Sequence, residues 1–138
     1  MFESCLYFNT TSLARHLERE WTVAFKPFGL TPPQAFMLRV VLAYPKITGT
    51  DLSMRLNISK ATCSRTVNGL MALGLLDKIQ ADEDGRVYGL YPTKAALDIH
   101  EAINQASAHV TKRIKKVIGA QTFEDAVKVL RAIGATLG

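Results

Sequence analysis

The side chains best suited to chemistry in this sequence lie between residues 59 and 68, where short polar and cationic groups recur at helical spacing. A period of 3.6 residues places Cys63, Val67 and Leu70 on one face of a helix. The opposite face is polar and basic and holds Lys60, Ala61, Ser64, Arg65 and Asn68. Small residues allow a helix to approach base pairs closely, and Lys, Arg, Asn and Ser donate hydrogen bonds to base edges and phosphates. The pattern therefore predicts a face that contacts the major groove of DNA.

Local signals around this face predict a helix-turn-helix. A short helix precedes a turn at residues 57 and 58, and Ser59 is a favoured N-cap for the second helix. We expect that helix from about residue 60 to 73, with Gly74 as the left-handed residue beyond its end. Thr62 stands where a full capping box would have Glu or Gln. The free N–H groups and partial positive charge at the start of the helix favour a phosphate near Ser59.

A β-hairpin is predicted directly after the second helix. Residues 75–80 and 87–91 are β-prone runs, and Asp84-Gly85 between them is a turn dipeptide. Arg86 lies near the predicted tip of the hairpin. Two helices followed by a hairpin with an Arg near its tip make a winged helix-turn-helix.

The strings LSMRLNISKATCSRTVNGLMALGLL and DGRVYGLYPT resemble the MarR family of transcriptional regulators, and LTPPQ at residues 30–34 resembles the LTxxQ that opens the family's second helix. The resemblance covers nearly the whole chain, residues 1–138, as a single domain. It implies a mainly α fold with a small β-hairpin wing. In that fold a winged helix-turn-helix at about residues 30–92 lies between dimerisation helices at about residues 4–28 and 93–138. It also makes residues 46–48 a candidate for a minimal third strand.

The resemblance further implies a homodimer that binds double-stranded DNA, with its recognition helices in successive major grooves and its wings in flanking minor grooves. The implied contacts are Ser59, Lys60, Ala61, Thr62, Ser64, Arg65 and Asn68 on the helix, and Asp84 and Arg86 on the wing. Glu83 departs from the family pattern, which often has a second Arg there, and its charge would repel phosphate. We therefore expect the wing contact to rest on Arg86, oriented by Asp84. Two-fold symmetry predicts a palindromic operator, and the resemblance implies a repressor.

Both ends of the chain are predicted to form amphipathic helices with broad apolar faces. The first has Leu6, Leu13, Leu17, Trp21, Ala24 and Phe28 on one side. A long helix starting at Pro92-Thr93 has a stripe formed by Leu97, His100, Ile103, Ser107, Val110, Ile114 and Val117. Gly119 interrupts it, and a last helix runs from about residue 122 to 137. Because these stripes are wider than one domain needs, we expect them to meet a second copy of the chain.

The resemblance implies two means of control. The family's effector cleft lies between the dimerisation helices and the winged lobe and takes a small apolar or phenolic ligand. Its candidate lining residues in this chain are Trp21, Phe25, Phe36 and His100. Cys5 resembles the reactive cysteine of the family's peroxide-sensing branch, although Pro32 replaces the Tyr that activates that thiol. Two interpretations of Cys5 stay open, a redox sensor and a cysteine at a helix start without such a role.

Composition excludes several other classes of protein. The chain has 138 residues, 48% of them hydrophobic, and a net charge of +5, which fits one domain with its own core and is compatible with nucleic acid. Two cysteines are too few for a disulfide framework, Cys63 is expected in the core, and no Cys or His spacing is typical of zinc. We therefore expect no metal, no cofactor and a reducing, cytoplasmic location. A signal peptide and an apolar run long enough to span a bilayer are both absent, so no membrane partner is expected.

The sequence also lacks the motifs of common enzyme classes. It has no nucleophile elbow, P-loop, Rossmann glycine pattern or zinc-protease motif, so we do not expect an enzyme. One alternative function stays open, a winged-helix protein-interaction module that has lost DNA binding. Glu83 favours that alternative slightly, and the intact basic face opposes it.

Overall fold

A computed structural model describes residues 1–80 and 87–138, and the observations below concern those residues. The chain is mainly helical with one antiparallel hairpin, as predicted. Its helices are α1 (Leu6–Phe25), α2 (Pro32–Ala43), α3 (Gly49–Leu56), α4 (Lys60–Ala72), α5 (Lys94–Ile118) and α6 (Ala120–Leu137). A 3₁₀ turn, Lys26–Phe28, follows α1, and the strands are β1 (Leu76–Gln80) and β2 (Tyr88–Pro92). None of the helices in the described part of the chain combines the length and hydropathy needed to cross a membrane.

Four helices begin at a hydroxyl side chain that accepts a hydrogen bond from the first turn. These N-caps are Thr31, Thr48, Ser59 and Thr93. At α2 the cap is a full capping box, because the Gln34 side chain also accepts from the Thr31 N–H at 3.0 Å. At α4 the box is incomplete, as the sequence predicted, and Ser59 Oγ instead donates to Thr62 Oγ1 at 3.0 Å. Each cap satisfies a backbone N–H that would otherwise lack a partner, and so fixes where its helix begins.

The two helices of the helix-turn-helix are joined by a tight turn at Asn57, whose φ of 54° lies in the left-handed region. Asn tolerates that region better than most residues, so the chain can reverse within three residues. Gly74 has a φ of 74° just after α4, where the sequence placed a left-handed residue. Both ends of the recognition helix therefore lie within a residue of the predicted positions.

The hairpin pairs Leu76 with Pro92 at its base and Gln80 with Tyr88 at the last pair of the ladder. The candidate third strand at residues 46–48 is reduced to a single bridge between Thr48 and Gly89. Its flanking hydrogen bonds, Lys46 N to Leu90 O and Leu90 N to Ile47 O, are both 2.9 Å. The strand stops there because Lys46 has a left-handed φ of 74° and α3 begins at Gly49.

The core lies around α2, which is covered by α1, α4, α5 and the base of β2. Its fully buried side chains include Phe25, Met37, Leu38, Val41, Leu52, Leu70, Leu90 and Ile103. The α5 stripe is covered only in part by the single chain, in which Leu97 is 57% exposed and Val117 is 80% exposed. In α6 no residue is buried. Helical period alone identifies an apolar face, but whether the same chain covers that face is decided by the fold.

Candidate nucleic-acid interface

The recognition helix α4 is anchored by one face and open on the other. Cys63, Val67 and Leu70 are at most 2% exposed and join the core. The residues on the opposite face are all exposed, as predicted: Ser59, Lys60, Ala61, Ser64, Arg65 and Asn68. Burial of the first set therefore presents the second set to solvent as one continuous polar ridge.

The first turn of α4 is held by a small network around Thr62. Ser59 Oγ accepts from the Thr62 N–H at 3.1 Å and donates to its hydroxyl, and Arg65 donates to the same hydroxyl at 3.2 Å. Thr62 is half-buried, unlike its predicted partners in the interface. Its hydroxyl thus orients the side chains of Ser59 and Arg65 on the ridge.

The charges on the ridge are not neutralised by acidic side chains in the part of the chain that the structure describes. The ion pairs found there are Met1 with Glu3, Lys94 with Asp98 and Arg113 with Glu20. Lys60 and Arg65 therefore present two uncompensated cations beside the positive end of the α4 dipole. This arrangement attracts a polyanion.

The predicted wing contacts Asp84 and Arg86, and also Glu83, lie outside the described residues. The root of the wing is described, and there the Lys78 ammonium lies over the Tyr88 ring, 4.0 Å from its centre. The candidate interface in the described residues is therefore the α4 ridge with the wing root beside it.

The predicted effector residues divide between two cavities instead of lining one. A cavity of about 420 Å³ between α1 and α2 is lined by Leu17, Glu18, Trp21, Pro32, Pro33 and Phe36. A second, of about 410 Å³ between α2 and α5, is lined by Phe36, Arg39, Val40, Ala43, Tyr44, His100 and Asn104. Phe36 borders both cavities. Phe25 was wrongly placed as a wall residue, because it is fully buried and packs edge-on against Phe36 at 5.9 Å.

Arg39 is a residue of this region that the sequence did not single out. Its Nε donates to Asn104 Oδ1 at 2.7 Å and its guanidinium donates to Ser107 Oγ at 3.1 Å, while Trp21 Nε1 donates to the same Ser107 oxygen at 3.0 Å. The guanidinium also lies 5.0 Å from the centre of the Phe36 ring. A lone Arg within the apolar run of α2 was the signal that could have identified it.

Arg39 has no carboxylate partner among residues 1–80 and 87–138. Burial lowers the pKa of the Arg39 guanidinium, because the charged form loses hydration. The cavity that it lines with Asn104 and His100 has no acidic wall residue. An anion entering that cavity would find a partly desolvated cation without a counter-ion.

The two cysteines lie in different environments. Cys63 is buried, with its sulfur 3.7 Å from the Gly49 carbonyl oxygen, and burial raises the pKa of its thiol. It is a core residue, as predicted. Cys5 is exposed at the N-cap of α1 and forms no side-chain cap. Residues 1–80 and 87–138 contain no cluster of three or more metal-ligating side chains.

Comparison with known proteins agrees with this geometry. The model of the MarR family matches residues 28–87, which span the whole helix-turn-helix and the described hairpin strand β1. Over this segment the chain is similar to the MarR family.

Individual relatives are similar over most of their length. The uncharacterised HTH-type transcriptional regulator YybA of Bacillus subtilis (strain 168) is 22% identical over 100 residues, which are 72% of this chain and 67% of YybA. The S. aureus MepR–DNA complex superposes with a TM-score of 0.86 at 15% identity, covering 99% of this chain and 100% of MepR. PcaV from Streptomyces coelicolor, solved with its natural ligand, has a TM-score of 0.82 at 20% identity, covering 100% of this chain and 97% of PcaV. At these identities the two structures establish the fold.

Proposed function

We propose that this protein is a DNA-binding regulator of the MarR family, a homodimeric repressor that binds a palindromic operator and is released from it by a small effector. The observation that carries the proposal is the exposed α4 ridge with Lys60 and Arg65 uncompensated on it. A cationic ridge flanked by small polar residues fits a major groove, where Arg and Asn can form hydrogen bonds with base edges. The protein works in the cytoplasm, where an exposed free thiol such as Cys5 persists.

The apolar surface of the terminal helices supports the dimer. Large apolar side chains are exposed there in the single chain, including Leu6, Leu13, Val117, Val127, Leu130 and Leu137. A monomer rarely leaves so large an apolar surface in contact with water. A two-fold axis between terminal helices sets the two α4 helices about 34 Å apart, so both enter one face of the duplex and the operator is a palindrome.

The α2–α5 cavity supports a specific class of effector, a small aromatic acid. Its carboxylate pairs with Arg39, which has no acidic partner among the described residues, and its ring packs beside Phe36. Such a ligand acts only through a difference in its affinity for two arrangements of the dimer. Oxidation of Cys5 is the second candidate trigger, favoured by the exposure of its thiol at the start of α1.

The central experiment is a fluorescence-anisotropy titration of the promoter DNA flanking the protein's own gene. We expect tight binding. The logarithm of the association constant should fall linearly with the logarithm of salt concentration, with a slope of about −0.9 for each phosphate contacted. Lys60→Ala and Arg65→Ala are expected to weaken binding, whereas Lys94→Ala, which removes an exposed cation from α5, is the matched control. Binding that does not depend on salt, or equal effects of all three substitutions, would contradict the DNA interface and favour a protein-interaction module.

The effector class is tested by adding benzoate or uncharged benzyl alcohol to the preformed complex. We expect benzoate to release the DNA and benzyl alcohol to do so only at much higher concentration, because it cannot pair with Arg39. With Arg39→Met the two ligands should act alike. Equal potency of the two ligands on the wild type would refute the anion site without affecting the DNA-binding proposal.

A further inference from the structure

The described part of the wing includes Tyr88, the first residue of β2. This residue pairs with Gln80 at the last pair of the ladder. On either side of it along the hairpin, Ile79 is 53% exposed and Val87 is 44% exposed, while Tyr88 itself is half-buried. The Tyr88 side chain packs onto the helix-turn-helix.

The phenol of Tyr88 fills a notch at the start of α3. A Cβ added to Gly49 would overlap the Tyr88 hydroxyl and the ring carbon that carries it. Gly49 is buried and has no left-handed φ, so glycine is required there for space and not for backbone conformation. On its exposed side the ring is covered by the Lys78 ammonium at 4.0 Å.

The notch lies beside the recognition helix, because the Cys63 sulfur of α4 is 3.7 Å from the Gly49 carbonyl oxygen. Burial raises the pKa of Tyr88, the neighbouring Cys63 raises it further, and the Ser64 side chain beside the hydroxyl opposes the rise. Cys63 and Ser64 are adjacent residues of α4, one buried and one on the outward ridge. Tyr88 therefore packs on α3 at the point where α3 meets the recognition helix.

We infer that Tyr88 is a positioning residue for DNA binding, which sets the wing at a fixed place relative to the recognition helix so that both reach the duplex together. The inference rests on the proposed DNA-binding function and adds to it.

The physical reason is the weakness of an isolated hairpin. A two-stranded ribbon is marginally stable by itself and needs packing against a helix to hold one orientation. If the wing root were loose, DNA binding would have to order it, and that ordering cost would be subtracted from the affinity. The bridge between Thr48 and Gly89 holds the backbone of β2 one residue away from Tyr88, and the Tyr88 ring adds a side-chain contact with α3.

The test compares two duplexes, a long one that includes the flanks reached by the wings and a short one that ends at the two major-groove sites. For Tyr88→Ala we expect at least about a tenfold loss of affinity on the long duplex and less than about a twofold change on the short one. The salt slope on the long duplex should become shallower by about 2, one phosphate contact for each wing of the dimer. Tyr88→Phe, which keeps the ring, should retain most of the affinity.

A second pair of variants tests the notch directly. Gly49→Ala places a methyl group in the space of the phenol, so it should reproduce the loss on the long duplex. Adding Tyr88→Ala makes room for that methyl group, and the double variant should bind no worse than Tyr88→Ala alone. Additive losses would overturn the inference. If Gly49→Ala does not fold, the affinities of Tyr88→Ala for the long and the short duplex decide whether the inference holds.

Failure of this inference is distinguishable from failure of the proposed function. Equal losses on both duplexes for Tyr88→Ala, or no loss on either, would overturn the positioning role while wild-type binding stands. Absence of salt-dependent binding by the wild type on the long duplex would overturn the proposed function, and the inference with it. Circular dichroism spectra of each variant separate loss of folding from loss of positioning.

Discussion

The exposed apolar face of α6 allows an estimate of how much free energy two of its side chains contribute to dimerisation. Val127 and Leu130 lie on the same face of α6 and remain 42% and 45% exposed in the single chain. Full burial of a Val or Leu side chain contributes about 1.5 to 3 kcal/mol. Covering the exposed fractions of both residues in a dimer therefore contributes about 2 kcal/mol for each chain and about 4 kcal/mol for the pair of chains.

The double variant Val127→Ala/Leu130→Ala removes most of this contribution. We expect the dimer dissociation constant to rise on the order of 10³-fold, because each 1.4 kcal/mol corresponds to a factor of ten. Alanine keeps the helix propensity of α6, and neither side chain is buried in the single chain, so the helical content of the monomer should not change. Operator affinity should fall at protein concentrations where the variant is monomeric.

Sedimentation equilibrium over a wide concentration range measures the dissociation constant. The control is Met54→Ala, which removes a 73% exposed apolar side chain from α3, away from the terminal helices. A dissociation constant for the double variant within about threefold of wild type would refute the assignment of this face of α6 to the dimer seam. A wild type that remains monomeric throughout would refute the dimer itself.

Three further predictions concern single side chains. Ser59→Ala should lower the free energy of unfolding by about 1 kcal/mol in a urea titration, because the Thr62 N–H loses its cap. Cys63→Val should reduce the loss in free energy of unfolding that the wild type shows at alkaline pH, measured by urea titrations at several pH values. Burial raises the pKa of Cys63 above its ordinary 9.0, so the native state keeps its proton longer, and wild-type stability is complete below pH 9.0 and falls as the pH rises through the folded-state pKa. Cys5→Ser should abolish any release from DNA that peroxide causes, and release that persists in a gel shift would exclude Cys5 as the sensor.

The sequence predicted best what depends on neighbours along the chain. The orientation of Cys63, Val67 and Leu70 follows from helical period, and the start of α4 follows from one capping hydroxyl. These features involve residues fewer than eight positions apart. Their physical causes are therefore visible in the order of the side chains.

The sequence predicted poorly what depends on contacts between distant segments. Leu97 belongs to an apolar stripe, but period does not say whether the covering surface comes from the same chain or from another. Phe25 and Phe36 are both aromatic residues near the predicted cleft, and only packing decides that one is core and the other a cavity wall. Arg39 became a candidate only when the fold brought it to Asn104, 65 positions later in the chain.

The hydrogen bonds of Arg39 suggest how an effector would be sensed. Ser107 of α5 accepts from Arg39 of α2 and from Trp21 of α1, so one hydroxyl joins α1 and α5 to α2, the first helix of the winged lobe. An anion that draws the guanidinium into the cavity would remove one of these bonds. A hydrogen bond to a charged group contributes about 1.5 to 3 kcal/mol, which bounds the effect on operator affinity at roughly 10- to 100-fold.

Thermodynamic linkage allows the same bound to be tested by measuring the binding of benzoate instead of the binding of the operator. If benzoate weakens operator binding by a given factor, the operator must weaken benzoate binding by the same factor. Calorimetric titration of benzoate into the free protein and into the operator complex measures that factor, and Ser107→Ala should reduce it because the hydroxyl that joins the helices is gone. An unchanged factor in Ser107→Ala would show that the coupling between cavity and recognition helix passes through other contacts of α2.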